Sequence, residues 1–454
     1  MSERKMSHKI CPECSQKYTN RVLGDWCKPC YSKHFKDNFD KWTSGNETID
    51  KIIQNSQLNA NGYWEVIEWI PYDKIKYIKR IARGGFGTIH LAKWFDGQIR
   101  VWNIENQQWK RYGQLDVVLK KFDSFATLNE GFLNEMVIHL KTWNKGSVNS
   151  IQFYGITQDP ETQKYIMVLD YARDGNLGEH LKNNFNLSWE KKLYYLYDLA
   201  NSFRNIHKLD IIHQDFHPGN ILSHDFKDDY LYISDFGLSK MVGQNPNNPE
   251  KKNIFGVLPY MAPEILCEEK YTKAADVYSF GIIAFKIITG FPPYHDIPHN
   301  SDLAIKICNG LRPKIPFHIP KSITRMIMRC WDARVTHRPT FEELKNETYK
   351  YYSDYMENDS TNNNEITIQI KKSDEFSTST NATAINIETA ASLNYRTHPQ
   401  AIYTSRLLNF SNLPNPKNEE NFENELKELT KSISDLSSTD SKQIDLNIFD
   451  FLKS

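Results

Sequence analysis

The order and spacing of three polar side chains in the middle of this 454-residue chain constrain its fold more than any other feature. The stretch "IIHQDFHPGN" carries Asp215 and, shortly after it, Asn220. The stretch "YLYISDFGLSK" then supplies Asp235 at the end of a predicted β-strand. Asp215 is placed to accept the proton of a substrate hydroxyl, while Asn220 and Asp235 offer oxygen ligands to Mg²⁺. The pattern predicts a metal-dependent catalytic site on one loop and one strand end.

A glycine-rich turn lies upstream, in "RIARGGFGTIHLAKW" (80–94), which has the pattern strand, turn, strand. Gly84 and Gly87 let backbone N–H groups approach phosphate oxygens without a clash from a Cβ atom. Ala82 stands at the first of the three positions where glycine is usual, and its one methyl group stiffens the turn without filling the phosphate site. Taken alone, such a turn also fits an ordinary hairpin.

A lysine and a glutamate follow in the order that a phosphate site needs. Lys120 lies in the strand-like stretch "VVLKKF", and Glu135 lies in "FLNEMVIHL", which has a helical pattern. A lysine that points inward from a strand needs a counter-charge, and Glu135 can supply it. The two are predicted to form the ion pair that positions the α- and β-phosphates of a nucleotide. An ordinary surface Lys and Glu would be the interpretation if the pair stood alone.

Three further motifs complete the series: Ala-Pro-Glu at 262–264, Asp276 in "AADVYSFGI", and Arg338 in "THRPTFEEL", a natural partner for Glu264. With them, the chain from about 77 to 347 resembles the eukaryotic protein kinases. The stretch "MRCWDARVTHRPTFEEL" is similar to the C-terminal signature of the tyrosine-kinase-like and tyrosine kinase groups. Together with an N-terminal cysteine cluster, the combination resembles a large set of fungal kinases.

This resemblance implies an α+β, two-lobed protein kinase fold, with a small β-rich N-lobe followed by a larger helical C-lobe. It implies ATP and Mg²⁺ as cosubstrates, with adenine held at the hinge 170–172 behind Leu169. The implied catalytic residues are Asp215, Lys120, Glu135 and His217. The implied nucleotide contacts are Gly84, Gly85, Phe86, Gly87, Ile89, Val118, Lys120, Asp170, Ala172, Asn220, Leu222 and Asp235. Of these, Asn220 and Asp235 are the implied Mg²⁺ ligands.

Two departures from the family pattern bear on control. Gln214 stands where an arginine usually receives a phosphate from the activation segment through charge-assisted hydrogen bonds. The activation segment 238–260 has no Ser, Thr or Tyr between Ser239 and Tyr260. Because receptor and phosphate site are missing together, we predict that activation-loop phosphorylation does not switch this chain on. The alternative is independent drift at two places.

Other departures bear on chemistry and on the substrate. His217 replaces the lysine that contacts the transferring phosphate in serine/threonine kinases; a solvated loop histidine is the alternative. His217-Pro218 nevertheless keeps the frame of serine/threonine kinases, whereas Val257 replaces the threonine that bonds the catalytic aspartate in them. The sequence favours Ser/Thr substrates, with dual specificity left open. The sequence also favours an active enzyme over an ATP-binding pseudokinase scaffold, because the five groups that handle charge in phosphoryl transfer are all present. They are Lys120, Glu135, Asp215, Asn220 and Asp235.

Four cysteines near the N-terminus form a second kind of site. "CPECSQKYTNRVLGDWCKPC" places Cys11, Cys14, Cys27 and Cys30 as two C-x2-C pairs. Each pair can chelate from a tight turn, and four thiolates make a closed tetrahedral zinc site with a structural role. Disulfides and an iron–sulfur site are the alternatives, and a cytosolic compartment argues against the first. A third functional hypothesis is a zinc adaptor, in which the zinc module binds partners and the kinase domain is only carried along.

Composition and the distribution of residue types along the chain predict its domain organisation, its location and its partners. Lys+Arg and Asp+Glu both number 56, and this zero net charge argues against a nucleic-acid or membrane-surface binder. No N-terminal segment resembles a signal peptide, so a cytoplasmic location is expected, with the nucleus left open. We predict protein substrates and signalling partners. The predicted divisions are a zinc module (1–40), a linker (41–70), the kinase domain (71–350), a disordered tail (351–416) and an acidic end with an amphipathic helix (417–454).

Overall fold

The computed structural model of the chain describes residues 10–20, 25–84, 87–122, 130–143, 150–184, 187–227, 230–242, 254–357, 364–382 and 396–433. It divides into two compact units, Met1–Arg173 and Asp174–Ser454. Within the described residues, no helix combines the length and apolar character needed to cross a membrane.

The first unit is built around a β-sheet. Its strands are β1 (Glu68–Trp69), β2 (Ile75–Gly84), β3 (Gly87–Trp94), β4 (Ile99–Asn103), β5 (Gln108–Arg111), β6 (Leu115–Phe122), β7 (Phe153–Gln158) and β8 (Tyr165–Asp170). Its helices are α1 (Lys28–Lys36), α2 (Glu47–Asn59) and α3 (Glu130–Trp143). Six strands form one sheet in the order β1-β7-β8-β6-β3-β2, and β4 and β5 form a separate hairpin. The unit therefore has the β-rich character predicted for a kinase N-lobe.

The range 41–70 is part of this unit, which corrects the prediction of a linker. The Asn46 side chain caps α2 by accepting hydrogen bonds from the N–H groups of Thr48 and Ile49. Ile49 and Ile53, one helical turn apart, are fully buried. Strand β1 then joins the sheet beside β7. Burial of this apolar face supplies the free energy that a linker would lack.

The second unit is mainly helical. Its helices are α4 (Leu177–Asn183), α5 (Trp189–Lys208), α6 (Pro263–Leu266), α7 (Lys273–Thr289), α8 (Ser301–Cys308), α9 (Lys321–Cys330), α10 (Phe341–Met356) and α11 (Glu365–Ala382). Short strands connect them: β9 (Ile211–Ile212), β10 (Ile221–Leu222), β11 (Tyr232–Ile233), β12 (Lys240–Met241), β13 (Ile254–Gly256) and β14 (Arg406–Leu408). This is the character predicted for a kinase C-lobe.

Helix α7 forms the centre of the second unit. All its residues from Ala275 to Ile288 are buried. The helix ends at Gly290, whose φ of 78° is readily adopted only by glycine. Helix α10 begins with a capping box between Thr340 and Glu343. The local signals at the helix ends therefore agree with the tertiary packing.

The range 351–416, predicted to be disordered, contains ordered structure in its described parts. Helix α11 buries Ile366 and Ile370, and the Gln369 side chain accepts a hydrogen bond from the Ser322 N–H. Strand β14 buries Leu408. The prediction relied on low hydrophobicity, but these few apolar side chains are covered by the helical unit itself. The helix predicted beyond 417 is present at 422–433, and its predicted continuation to Leu436 lies outside the described residues.

Candidate active site

The predicted ion pair between Lys120 and Glu135 is present in the first unit. Lys120 lies on β6 and Glu135 on α3, with 2.5 Å between Lys120 Nζ and Glu135 Oε1. Their side chains are only 5% and 0% exposed. Removing either partner would leave an uncompensated buried charge, at a cost of roughly 3–5 kcal/mol. The pair therefore holds the Lys120 ammonium group at a fixed place on the sheet.

The sheet brings several predicted nucleotide contacts onto one face. Ile89 on β3 is directly opposite Lys120, and Val118 on β6 is directly opposite Leu169 on β8. Directly opposed residues share a face, as do residues two apart on one strand. Ile89, Val118, Lys120 and Leu169 therefore form a continuous patch. One cation beside three apolar side chains suits a ligand with phosphates and a flat apolar ring.

The glycine turn is shaped partly by the sheet itself. Gly84 and Gly87 pair with each other at the end of the β2–β3 ladder, and Gly85 and Phe86 lie outside the described residues. A Cβ atom at Gly87 would lie 2.0 Å from the carbonyl oxygen of Lys121. Glycine is required there for strand packing, whatever the turn binds. The hairpin interpretation therefore accounts for one of the two glycines.

The predicted hinge begins where β8 ends. The Asp170 N–H donates to the Gln152 carbonyl oxygen (2.9 Å), and Asp170 Oδ1 accepts from the Tyr171 N–H (2.9 Å). Ala172 is buried. Because the Asp170 side chain bonds its neighbour's backbone, the chain direction after the sheet is fixed.

In the second unit, one buried carboxylate fixes the backbone of the predicted catalytic loop. Asp276 on α7 accepts from the N–H groups of His213 (2.9 Å) and Gln214 (3.1 Å), and its Oδ2 lies 2.9 Å from His207 Nε2. Gln214 has a φ of 69°, in the left-handed region that side chains other than glycine adopt at a cost. The hydrogen bonds to Asp276 offset that cost. Asp276 was singled out in the sequence, but without this role.

His213 connects the loop to the strand that precedes Asp235. Its Nδ1 accepts from the Asp215 N–H (3.3 Å), so its Nε2 carries the proton and donates to the Ser234 carbonyl oxygen (3.1 Å). Burial lowers the pKa of His213, which agrees with this neutral form. This role of His213 could not be predicted from the sequence, because it depends on contacts on both sides of the loop.

The structure brings Asp215, Asn220 and Asp235 together. Asn220 Nδ2 donates to the Asp215 carbonyl oxygen (3.0 Å). The Asn220 carbonyl oxygen accepts from the N–H of Ser234, which directly precedes Asp235 (2.9 Å). Leu222, also predicted, lies on β10 and pairs with β11. The arrangement gathers one proton acceptor and two potential Mg²⁺ ligands on a shared backbone network.

His217 is buried beside the catalytic carboxylate, which contradicts the alternative of a solvated loop histidine. Its side chain is 8% exposed, and its Nε2 lies 3.6 Å from Asp215 Oδ2. Its Nδ1 accepts from the Gly219 N–H (3.1 Å). In the neutral ring the proton is therefore on Nε2, on the side of Asp215. In this form His217 presents a hydrogen-bond donor on the side of the Asp215 carboxylate.

A cavity beside Asp215 extends to the activation segment. It is lined by Gln214, Asp215, Val257, Tyr260 and Tyr271, among others. The Tyr260 ring centre lies 6.3 Å from that of His217. Neither tyrosine could be assigned to the cavity from the sequence, because its position there depends on tertiary placement alone. The cavity thus joins the predicted catalytic aspartate to the end of the activation segment.

The Ala-Pro-Glu motif is joined to the C-terminal signature as predicted. Arg338 Nη1 and Nη2 donate to the two carboxylate oxygens of Glu264 at 2.7 and 2.8 Å. Both side chains are buried, and such bidentate pairs are strong and directional. The pair anchors the end of the activation segment to the helical unit.

The four N-terminal cysteines meet at one point. Their Sγ atoms all lie within 4.8 Å of one another, with 3.8 Å from Cys11 to Cys30 and 3.6 Å from Cys14 to Cys27. Disulfide sulfurs lie about 2.05 Å apart, so the disulfide alternative is contradicted. Four sulfurs placed tetrahedrally at about 2.3 Å from Zn²⁺ would be about 3.8 Å from each other. The cluster therefore has the size of a four-thiolate metal site.

The cysteine cluster packs against the 94–116 insertion, which forms the β4–β5 hairpin. The His34 ring stacks on Trp102 at 4.0 Å between ring centres, and the Phe35 ring stacks on Trp109 at 4.4 Å. Cys11, Cys27 and the side chains of α1 share one buried cluster with these tryptophans. The insertion's observed partner is the cysteine module.

Comparison with known proteins agrees with this fold. A family model described as protein tyrosine and serine/threonine kinase matches residues 75–348. This match covers more than half of the chain, which therefore belongs to the protein tyrosine and serine/threonine kinase family.

The relatives include proteins named as serine/threonine kinases and a protein named as a tyrosine kinase. The chain is 27% identical over 325 residues to "Probable serine/threonine-protein kinase gdt4" of Dictyostelium discoideum, covering 70% of this chain and 18% of that protein. It is 28% identical over 270 residues to "Serine/threonine-protein kinase VIK" of Arabidopsis thaliana, covering 58% and 57%. It is 26% identical over 285 residues to "Tyrosine-protein kinase SPK-1" of Girardia tigrina, covering 61% and 53%. The chain thus spans between about a fifth and just over half of these relatives.

Proposed function

We propose that this chain transfers the γ-phosphate of ATP to serine or threonine hydroxyls of protein substrates. The observation that carries the proposal is the network joining Asp215, Asn220 and Asp235. Asp215 takes the hydroxyl proton of the acceptor. Asn220 and Asp235 would hold Mg²⁺, which neutralises phosphate charge when bound. Lys120, held by Glu135, would position the α- and β-phosphates.

Two observations support Ser/Thr as the acceptor class. His217-Pro218 keeps the frame of serine/threonine kinases, and two of the relatives above are named for that activity. The relative named as a tyrosine kinase keeps dual specificity open. Phosphoamino-acid analysis of a protein substrate labelled by this kinase will distinguish these specificities.

His217 takes the place of the usual lysine through its Nε2–H group. That donor is directed at the side of Asp215 where the transferring group must pass. It would stabilise charge that develops on the phosphoryl oxygens, as preorganised donors do.

We also propose that activation-loop phosphorylation does not control the enzyme. Gln214 cannot act as the cationic receptor of a phosphate. The activation segment has hydroxyl side chains only at Ser239 and Tyr260, and both are inaccessible. Ser239 is 1% exposed and its Oγ donates to the His213 carbonyl oxygen, while Tyr260 is 3% exposed. Residues 243–253 contain no Ser, Thr or Tyr and lie outside the described residues.

The cysteine cluster is proposed to hold one structural Zn²⁺ through Cys11, Cys14, Cys27 and Cys30. Burial raises the pKa of the Cys27 thiol to about 11, so its thiolate needs a cation nearby. All four positions are protein ligands, which leaves no place for a reacting group. The module then stabilises the β4–β5 hairpin or presents it to a protein partner. A cytoplasmic location stays a prediction.

A radiolabelled-ATP assay with generic protein substrates tests the proposed activity. Wild-type protein should label the substrate, whereas Asp215→Ala and Lys120→Met should not. The second candidate, an ATP-binding pseudokinase scaffold, predicts ATP binding without transfer by the wild-type chain. Deleting residues 1–40 and following partners and localisation tests the zinc adaptor hypothesis.

A further inference from the structure

The C-terminal tail pairs with the activation segment inside the second unit. Strand β14 runs antiparallel to β13, with Leu408 opposite Ile254, Leu407 opposite Phe255 and Arg406 opposite Gly256. Strand β13 is the last stretch of the activation segment before Val257. The tail therefore occupies the open edge of a strand that leads directly into the catalytic cavity.

The tail is held in place before β14 by the loop 293–299. The His299 N–H donates to the Gln400 carbonyl oxygen (3.0 Å), and the His299 Nε2 donates to the Tyr294 carbonyl oxygen (3.1 Å). The Nδ1 atom lies 3.0 Å from the Ile402 N–H and 2.9 Å from the Ile402 carbonyl oxygen; in the neutral ring with its proton on Nε2, it accepts from the N–H. Arg406 then donates to the His299 carbonyl oxygen (2.5 Å). The approach to β14 is thus fixed by backbone and side-chain bonds together.

A second anchor holds the tail after β14. Asn418 Oδ1 accepts from the Ala333 N–H (2.7 Å), and Asn418 Nδ2 donates to Asp332 Oδ1 (2.7 Å). Arg334 also forms an ion pair with Glu423. Because both sides are anchored, the register of β14 against β13 is set by more than its own short ladder.

Ser405 is the first residue beyond the paired stretch, on the side of the catalytic cavity. In an antiparallel ladder, each step back along one strand is a step forward along the other. The ladder ends at Arg406 opposite Gly256, so the next residues beyond it are Ser405 on the tail and Val257 on the activation segment. Val257 and Asp215 line the same cavity. The tail therefore places a serine next to the point where the activation segment enters the cavity lining.

The hydroxyl of Ser405 differs from those of Tyr403 and Thr404 in its burial and hydrogen bonding. Its Oγ is buried and has no hydrogen-bond partner among the residues that the structure describes. Thr404 is exposed, and the Tyr403 hydroxyl is engaged with the Pro293 carbonyl oxygen (2.9 Å). Buried hydroxyls are normally satisfied, so an orphan beside an active-site cavity points to a partner that arrives with the reaction.

We propose that the tail is an intramolecular substrate, with β14 docked on the activation strand and Ser405 as the phosphate acceptor. Ser405 Oγ forms the new bond to the γ-phosphorus of ATP as the bond from that phosphorus to the ADP oxygen breaks. ADP leaves with the electron pair, and the hydroxyl proton passes to the Asp215 carboxylate. This step rests on the proposed kinase function.

Mass spectrometry of the full-length protein tests the proposal. The chain is first dephosphorylated, then incubated with Mg²⁺ and ATP together with a serine peptide that reports activity separately. We expect phosphate on Ser405, at a fraction that stays constant when the protein is diluted tenfold. Ser405→Ala should lose at least tenfold of the tail label, whereas Thr404→Ala, the matched neighbour, should keep it.

Three outcomes would overturn the proposal. A labelled peptide with unmodified Ser405 contradicts the tail as a substrate and leaves the kinase function standing. A tenfold fall on dilution, or label on Ser405 of an Asp215→Asn chain mixed with wild type, shows transfer between molecules. If neither peptide nor tail is labelled, the proposed function itself fails, and this inference fails with it.

Discussion

His217 holds its Nε2 3.6 Å from Oδ2 of Asp215, while the backbone N–H of Gly219 occupies its Nδ1. This contact fixes which ring nitrogen carries the proton in the neutral ring. It also places a donor beside the base of the proposed reaction. A lysine, the usual residue here, would present its own N–H groups from a longer and more flexible side chain.

The first prediction concerns this donor. His217→Ala should lower kcat by roughly ten- to hundredfold, the effect of losing one hydrogen bond to a charged group. His217→Lys should keep or increase turnover, because the donor is restored with a full charge. Steady-state kinetics of both variants provide the measurement, with His318→Lys as a control for adding a lysine. A Lys variant as slow as the Ala variant would show that the imidazole has another role.

The second prediction concerns the carboxylate that fixes the catalytic loop. In Asp276→Asn, one oxygen that accepts a backbone hydrogen bond is replaced by an amide that can only donate. The buried N–H of His213 or Gln214 then loses its acceptor. We expect a lower Tm and a fall in kcat of tenfold or more, whereas exposed Asp302→Asn should change neither appreciably. A variant with wild-type kcat would contradict the role of Asp276.

Several parts of this site could be predicted from sequence because each is a local motif. Lys120 pairs with Glu135, and Arg338 pairs with Glu264. A buried charged residue requires a partner of opposite charge, and the sequence motifs contain few candidates for that partner.

Other parts could not be predicted, for physical reasons. Strand β14 has three residues and pairs with β13 about 150 positions earlier in the chain. So short a strand does not determine its own pairing partner; the contacts at His299 and Asn418 hold it beside β13. Strand β1 has two residues and no pattern of its own. The contact between Trp102 and His34 joins two surface segments, which sequence periodicity does not reveal.

The third prediction concerns the cysteine module. The purified chain should carry one zinc per molecule, and strong chelators should remove it. Loss of the metal should lower Tm and change tryptophan fluorescence, because Trp26 and Trp109 are in the cluster that the cysteines complete. Cys14→Ser should lose the zinc, and Cys267→Ser, outside the cluster, should retain it. Equal zinc content in both variants would contradict the assignment.

The fourth prediction concerns the pH dependence of the tail. Burial lowers the pKa of His299 and outweighs the hydrogen bonds to the backbone of Ile402 and Tyr294, which act in the opposite direction; nearby Arg406 and His398 add to the lowering. The unfolded ring has its ordinary pKa near 6.5, so it binds more protons than the folded ring below that pH. Stability from this group is therefore full above about pH 6.5 and falls as the pH drops toward the lowered folded value.

Protonation turns Nδ1 from the acceptor of the Ile402 N–H into a donor to the Ile402 carbonyl oxygen, so the Ile402 N–H loses its partner. We expect hydrogen-exchange protection of residues 402–408 to fall between pH 7 and pH 5.5, after correction for intrinsic exchange rates. Protection in α7 provides the internal reference. His299→Gln should show reduced dependence on pH over this range. Unchanged protection of the tail in the wild-type chain would contradict the anchor.

The central claim is that Asp215 is the base of a working kinase. The most direct measurement is a rapid-quench comparison of phosphoryl transfer from ATP to a serine peptide by wild type and Asp215→Asn, with ATP affinity measured in parallel. The account predicts transfer by wild type, a loss of about 10²- to 10⁴-fold in the variant, and ATP affinity within about twofold. Equal rates in the two proteins, or ATP binding without transfer by wild type, would contradict it.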